Sequence, residues 1–276
     1  MNKFYLINEN NSRFDLKNFS QKAFIPSVKG LGYKHNTSFI KVGNSYQMDY
    51  QDIAQGTLRG TTMFSTYANY LDFVSFVENA QSLRMIYMPI DTEFFRDITL
   101  QGIENVVDNG NVVEAELSVF CKGLWYKSTD TRFIIEEIAG QSQYDLLFDY
   151  TFNDYASVDV VFNNIGHAEA ELLVEFYGYI ENPMIELYQD DVLQYTVLFN
   201  KTLQVDEKLI YSARDGQNYV VFQSTAGVQT NAISTLSLDN DNFFRIPKGY
   251  SKIVVSSDSG TVAQVVFTII TLYKGV

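Results

Sequence analysis

The side chains best suited to nucleophilic chemistry are one cysteine and two histidines. Cys121 is the only cysteine in the 276 residues, and His35 and His167 are the only histidines. A thiol nucleophile needs a neighbouring base, and a zinc site needs three or four nitrogen or sulfur ligands. These three side chains are far apart in the sequence and lack any short chelating spacing. We therefore expect no catalytic thiol and no metal site, and we expect Cys121 to be a small core residue.

Carboxylates offer two further kinds of site. Glu114 and Glu116, or Asp190 and Asp191, could in principle form the acid pair of a glycoside hydrolase. The first pair fits the solvated face of a strand better, and the second fits a hairpin turn, because Asp tolerates turn geometry. The stretch Asp239–Asn242 has oxygen ligands but lacks the Gly and the distal Glu of an EF-hand, so we expect a polar loop. The sequence thus predicts no enzyme and no cofactor.

The only tryptophan, Trp125, is followed by Tyr126. Adjacent aromatic side chains could stack on a sugar ring or contact a protein partner. They could equally close a β-sandwich at the end of a strand, which is the interpretation that we favour. The chain has few candidate catalytic residues and many aromatic residues. This composition is typical of a binding module or of a component of an assembly.

Composition and charge limit the class of protein. Aromatic residues make up 15% of the chain and there are only 4 Pro, which favours β-structure. One cysteine cannot form an internal disulfide, and no apolar run is long enough for a membrane span. The net charge of −13 disfavours nucleic-acid binding, because Lys and Arg are needed at phosphates. Residues 1–138 carry a net charge of −3 and residues 139–276 carry −10.

Hydrophobic patterning predicts two mainly β domains. On the strand that ends at Cys121, apolar residues from Val113 onward alternate with polar ones, which places Cys121 on the inward side. A helix is expected near residues 66–80, capped by Ser65 or Thr66, with a buried stripe of spaced apolar residues. That stripe comprises Tyr67, Tyr70, Leu71, Val74 and Val77. Phe73 and Phe76 lie off the stripe, so we expect a second face of the helix to be partly buried too. The pattern loosens at Glu136–Tyr144, so we expect domains at 1–138 and 139–276, the second being almost entirely strands.

The stretch Lys29–Tyr50 is polar, aromatic and punctuated by Gly30, Gly32 and Gly43. This pattern predicts an extended hairpin rather than a core element. Its aromatic side chains suit the core of a protein interface. The alternative is an ordinary hairpin that folds onto its own domain.

The order of these elements resembles the distal tail protein (Dit) family of siphophages that infect Gram-positive bacteria. The first half has an initial "YLIN" strand, a hairpin ending "SFIKVGNSYQMDY", the helix "FSTYANYLDFVSFV" and the strand "AELSVFCKGLWYKS". In the second half, "VFNNIGHAEAELLVEFYGYIENPMIELY", "EKLIYSARDGQNYVV" and "FFRIPKGYSKIVV" resemble later strands of the family. The resemblance spans nearly the whole chain. It rests on the order of many short segments and includes no invariant catalytic signature.

The resemblance implies an N-terminal ring-forming β-sandwich with one packed α-helix and a C-terminal galectin-like jelly-roll β-sandwich. It implies a homo-hexameric hub ring in the virion tail, made in the host bacterial cytoplasm. The expected partners are the major tail tube protein, the tail-associated fibre protein, the tape-measure protein and receptor-binding proteins; DNA would pass through without specific binding.

A closed ring repeats one heterologous interface, so each copy needs two complementary surfaces. Our candidate for one surface is the Lys29–Tyr50 hairpin, with the ring-interface residues Tyr33, Phe39, Tyr46 and Tyr50. The alternative function is a carbohydrate-binding module that recognises cell-wall saccharide, because such a module would also be β-rich and aromatic.

Overall fold

Strands with alternating apolar and polar side chains make up most of the described part of the chain. The computed structural model describes residues 3–18, 22–110, 112–135, 157–237, 242–258 and 263–276. The chain divides into two compact units, one formed by Met1–Lys127 with Tyr273–Val276 and the other by Ser128–Leu272. The boundary predicted between residues 138 and 139 and the loosened segment Glu136–Tyr144 lie outside the described residues, so the predicted domain limits stay a prediction.

The first unit contains ten strands, the start of an eleventh, and one helix among its described residues. In chain order they are β1 (Lys3–Asn8), β2 (Arg13–Asp15), β3 (Lys17–Asn18), β4 (Ala23–Phe24), β5 (His35–Val42), β6 (Ser45–Ile53), β7 (Thr57–Phe64), α1 (Tyr67–Glu78), β8 (Leu83–Met88), β9 (Phe94–Asp108), β10 (Val113–Cys121) and β11 (Trp125–Ile135).

The main sheet of this unit curls back on itself. Its antiparallel strands follow the order β2, β1, β8, β9, β10, β7, β4 and β3. The first and last of these strands are consecutive in the chain, and Leu16 lies between them. Leu16 donates to the carbonyl of Phe4 at 2.9 Å and accepts from the amide of Ile25 at 2.8 Å. The curled sheet encloses a core of apolar side chains that includes Cys121 and Trp125.

Helix α1 packs on this core through residues from both of the faces described from the sequence. Thr66 caps the helix by accepting from the amide of Asn69 at 3.2 Å, as expected. The predicted stripe is buried only in part, because Val77 is buried whereas Tyr67 and Leu71 are about half exposed. Phe73, from the second face, is the other buried side chain.

The ring of Phe73 contacts those of Phe14 and Phe64, with centroids 5.0 and 5.3 Å apart. Large aromatic rings contribute most to buried apolar area. The position of Phe73 therefore influences which face of α1 packs on the core more than the number of apolar residues on a face does.

The second unit is composed of short strands and one turn of 3-10 helix among its described residues. They are β12 (Ser157–Asn164), β13 (Glu171–Gly178), β14 (Ile180–Glu181), β15 (Met184–Gln189), β16 (Val192–Leu198), β17 (Thr202–Leu203), β18 (Lys208–Arg214), β19 (Gln217–Gln223), β20 (Gln229–Asn231), the 3-10 turn Ile233–Thr235, β21 (Gly249–Ser256) and β22 (Ala263–Tyr273).

Two antiparallel sheets of this unit pack around a single core. One has the order β12-β21-β15-β16, and the other contains β20, β19, β18, β13 and β22 in that order. Phe176 and Tyr211 of the second sheet share the core with Leu187 and Ile253 of the first. The ring centroids of Phe176 and Tyr211 lie 5.7 Å from that of Phe199, which links the strands through edge-to-face contacts.

The predicted fold class, mainly β with one helix packed on the N-terminal sheet, is confirmed. Within the part of the chain that the structure describes, no helix is long and apolar enough to cross a membrane.

Candidate functional site

Cys121 has the surroundings of a structural residue. It ends β10 with a side chain that is buried, as predicted. Burial raises the pKa of its thiol, and the neighbouring Arg96 guanidinium opposes that rise only in part. The thiol therefore stays protonated at neutral pH, whereas nucleophilic cysteines have a lowered pKa. Among the described residues, no group of three or more His, Cys, Asp or Glu side chains is arranged to hold a metal ion.

The carboxylate pairs lie where the pattern predicted them. Glu116 is exposed on β10 and accepts from Nδ2 of Asn105 at 2.9 Å. Asp190 and Asp191 form the turn between β15 and β16, with φ of 51° and 60°. Positive φ at both positions is typical of a tight hairpin turn. The predicted polar loop Asp239–Asn242 lies, apart from its last residue, outside the described residues.

Trp125 is completely buried, so its ring offers no platform to a sugar. Its indole Nε1 donates to the carbonyl oxygen of Leu31 at 3.0 Å. Tyr126 stacks on Phe95 with ring centroids 5.7 Å apart, and its hydroxyl donates to Asp97 at 3.3 Å. Both side chains are therefore engaged within the chain at the start of β11, which favours the sandwich-closing interpretation over a platform for sugar.

The hairpin of β5 and β6 exposes many large apolar side chains. Exposed apolar surface of this extent usually marks an interaction site. The four predicted ring-interface residues, Tyr33, Phe39, Tyr46 and Tyr50, are all exposed. Sequence reasoning missed three further members of the set, although they alternate along the same two strands. The full set, each at least 45% exposed, is Tyr33, Phe39, Ile40, Val42, Tyr46, Met48 and Tyr50.

Both faces of this hairpin carry apolar side chains. Phe39 lies opposite Met48 and Lys41 lies opposite Tyr46, which places these four on one face. A β-bulge at Ser38 and Phe39 shifts the register of β6 by one residue, so that Tyr50 faces the opposite side. One face therefore presents Phe39, Tyr46 and Met48, and the other presents Ile40, Val42 and Tyr50.

The hairpin receives little support from the rest of the described chain. β5 and β6 pair only with each other among the described strands. A two-stranded hairpin alone is marginally stable in water, and three strands or a packed face are normally needed. The side chains of β5 and β6 are nearly all exposed, so neither face of the hairpin is buried against the described part of its unit. The role of the hairpin in a ring interface stays a prediction.

The two chain segments at the base of the hairpin are tied to Cys121 and Trp125, the residues on either side of the loop that joins β10 to β11. On the first segment, the carbonyl of Leu31 accepts from Trp125, and Gly30 has a φ of 95°. A Cβ at Gly30 would lie 2.2 Å from the carbonyl oxygen of Thr57, so only glycine fits there. On the second segment, the carbonyl of Gly56 accepts from the amide of Cys121 at 2.9 Å.

Arg96 of β9 lies between this loop and the base of the hairpin. Its Nε donates to the carbonyl of Gly123 at 2.9 Å, and its guanidinium carbon lies 5.4 Å from the centroid of the Trp125 ring. A Cβ at Gly56 would lie 2.5 Å from Nη2 of Arg96. The side chain is 3% exposed, and burial lowers its pKa.

Two solved phage structures share this fold along the whole chain. A protein of the phage P2 baseplate, in its activated conformation with Ca, is 12% identical with a TM-score of 0.63, covering 100% of both chains. SPP1 Dit, a paradigm of the hub adsorption apparatus in phages that infect Gram-positive bacteria, is 11% identical with a TM-score of 0.64, covering 98% of this chain and 99% of that one. The chain therefore shares the fold of these two proteins.

Residues 3–122 match the family model of the distal tail protein N-terminal domain. The matched segment contains the hairpin, α1 and the strands through β10. The resemblance found in the sequence is confirmed. A search of curated proteins finds no match.

Proposed function

We propose that this chain is the distal tail protein of a siphophage that infects Gram-positive bacteria. In the virion tail, six copies form the hub ring that joins the tail tube to the baseplate or tail tip. The observation that carries the proposal is the family match of residues 3–122, because the matched segment contains the exposed hairpin. The fold shared with SPP1 Dit along the whole chain supports it.

The hairpin supplies one of the two surfaces that a closed ring requires. A heterologous interface joins one patch of a copy to a different patch of the next copy, and repeats until the ring closes. The hairpin extends apolar side chains from both of its faces, so a neighbouring copy that covers them removes apolar surface from water. Tyr33, Phe39, Tyr46 and Tyr50 are the proposed ring-interface residues.

The proposed ring surrounds a passage for DNA without binding it. Lys and Arg on the inner wall would hold phosphates and slow the passage, whereas the chain has a net charge of −13. We expect the inner wall to be acidic or neutral. The purified protein should not shift a DNA duplex in a gel at low salt, and a strong shift would contradict an acidic lumen.

The oligomeric state tests the proposal. Mass photometry of the purified chain, alone and with the cognate major tail tube protein, should show a particle of six times the 31.5-kDa chain mass. Negative-stain images should show a ring. A chain that stays monomeric under both conditions would overturn the proposed hub.

A double variant, Phe39→Ser with Tyr46→Ser, tests the role of the hairpin in that ring. It should reduce the hexamer strongly, because it removes two exposed aromatic side chains from one face. Ile90→Ser is the matched control, since Ile90 is 77% exposed in the same unit and lies outside the hairpin. Equal loss of the hexamer in both variants would contradict the assignment.

A further inference from the structure

We propose that Arg96 is a positioning residue that fixes the direction of the β5–β6 hairpin relative to the body of the first unit. This inference rests on the proposed function, in which the hairpin must meet a neighbouring copy at a defined place. It concerns a buried side chain with no role in the interface itself. Its basis is the set of contacts that Arg96 makes at the base of the hairpin.

A single side chain connects three parts of that base. Arg96 donates to Gly123 of the β10–β11 loop, and its guanidinium lies against the ring of Trp125. Trp125 in turn donates to Leu31 on the first segment of the base. The guanidinium also fills the space beside Gly56 on the second segment, where a Cβ would clash with Nη2. Moving the hairpin as a rigid body would disturb these contacts together.

Burying the charged guanidinium of Arg96 costs free energy, which indicates that this side chain does more than fill space in the core. A buried guanidinium without a carboxylate partner is unfavourable, and an apolar side chain of similar size is normally tolerated better in a core. No ion pair is found for Arg96 among the described residues, and none of them accepts a hydrogen bond from its Nη1. An arginine makes two contacts here that an apolar residue could not make. Its planar group has donors in fixed directions, one of which bonds to Gly123, and the same group lies against the ring of Trp125.

The direct test measures the hairpin's orientation. Spin labels at Asn44→Cys, in the hairpin turn, and at Ser75→Cys, on the exposed side of α1, report the distance between the hairpin and the body. Cys121→Ala is included in every variant, because Cys121 would otherwise be a third thiol. Labelled copies are diluted with unlabelled ones so that only distances within a copy are measured by electron paramagnetic resonance.

We expect a narrow distance distribution with Arg96 and a clearly broader one with Arg96→Met. Arg96→Met should also weaken hexamer formation about tenfold, which corresponds to about 1.4 kcal/mol. The matched control is Arg84→Met, since Arg84 is an exposed arginine of β8 that pairs with Asp97; it should leave the distribution and the hexamer unchanged. An unchanged distribution in Arg96→Met would overturn the proposal.

Two further variants keep the test decisive if Arg96→Met does not fold. Arg96→Lys keeps the charge and loses the Nε donor. Trp125→Phe keeps an aromatic ring but loses the bond to Leu31 and part of the ring volume. Each should broaden the distribution. If neither does, Arg96 does not position the hairpin. If the distribution broadens while the hexamer persists, positioning by Arg96 holds and the proposed role of the hairpin in the ring fails.

Discussion

The indole of Trp125 and the carbonyl of Leu31 are joined by a 3.0 Å hydrogen bond across 94 positions of sequence. Leu31 lies in the segment that leads into the exposed hairpin, and Trp125 begins β11 inside the core of the first unit. The chain's only tryptophan therefore anchors the base of the proposed assembly element, and its ring is not available to a ligand.

The buried position of Trp125 predicts its fluorescence. Emission should be blue-shifted, and neither iodide nor cell-wall saccharide should change it, because both remain in water outside the core. Titration of the native protein with iodide and with saccharide fragments measures this, and the unfolded protein serves as the quenchable control. A saturable response to saccharide would favour the carbohydrate-binding alternative.

Loss of a ring from the buried face of α1 should destabilise the first unit strongly. Phe73→Ala removes the contacts to Phe14 and Phe64 and leaves a cavity, which costs about 3–5 kcal/mol. Leu71→Ala is the matched control on the exposed side of the same helix and should cost about 0.5 kcal/mol or less. Urea unfolding of both variants measures the free energies. Similar losses would contradict the packing of α1 through Phe73.

The thiol of Cys121 should be inert in the native protein. Burial raises its pKa and shields it from reagents, so a colorimetric thiol reagent should react slowly before unfolding and with one thiol per chain afterwards. Cys121→Ser should leave assembly intact and lower stability only through packing. Rapid labelling of the folded chain, or loss of a measurable activity in Cys121→Ser, would contradict a structural role.

Stability should fall at alkaline pH through Tyr5. Burial, followed by the hydrogen bond that its hydroxyl donates to Glu93 at 2.6 Å, raises the pKa of Tyr5 from 10.0 to about 12. The folded chain therefore keeps a proton that the unfolded chain loses, so this contribution is complete below pH 10 and is lost as pH rises from 10 toward 12.

The slope of the unfolding free energy against pH in that window should be shallower in Tyr5→Phe, by up to about 1.4 kcal/mol per pH unit. Urea unfolding at a series of alkaline pH values gives both slopes. Parallel slopes would show that Tyr5 does not titrate in this way.

Local patterning was enough to predict the elements whose structure depends on near neighbours. The alternation that ends at Cys121, the turn at Asp190 and Asp191 and the Thr66 cap follow from side-chain period, turn chemistry and capping. The hairpin was predicted for the same reason, because its glycines and alternating strands are contiguous in the chain.

Contacts between distant segments were not predictable from one sequence. The buried face of α1 depends on Phe14 and Phe64, which lie outside the helix. Nothing near Arg96 in the sequence indicates that it contacts Gly123 and Trp125. The β-bulge that distributes the aromatic residues over both faces of the hairpin also depends on the pairing of two strands. The exposure of these residues could therefore be predicted from the sequence, but the face on which each one lies could not.

Cross-linking from the hairpin is the most direct test of the proposal that it meets a neighbouring copy. A photoreactive phenylalanine derivative at Tyr46, in a mixture of isotopically light and heavy chains, distinguishes bonds within a copy from bonds between copies. We predict mixed light–heavy products at one defined patch of the neighbouring chain. Products confined to single chains would contradict the account.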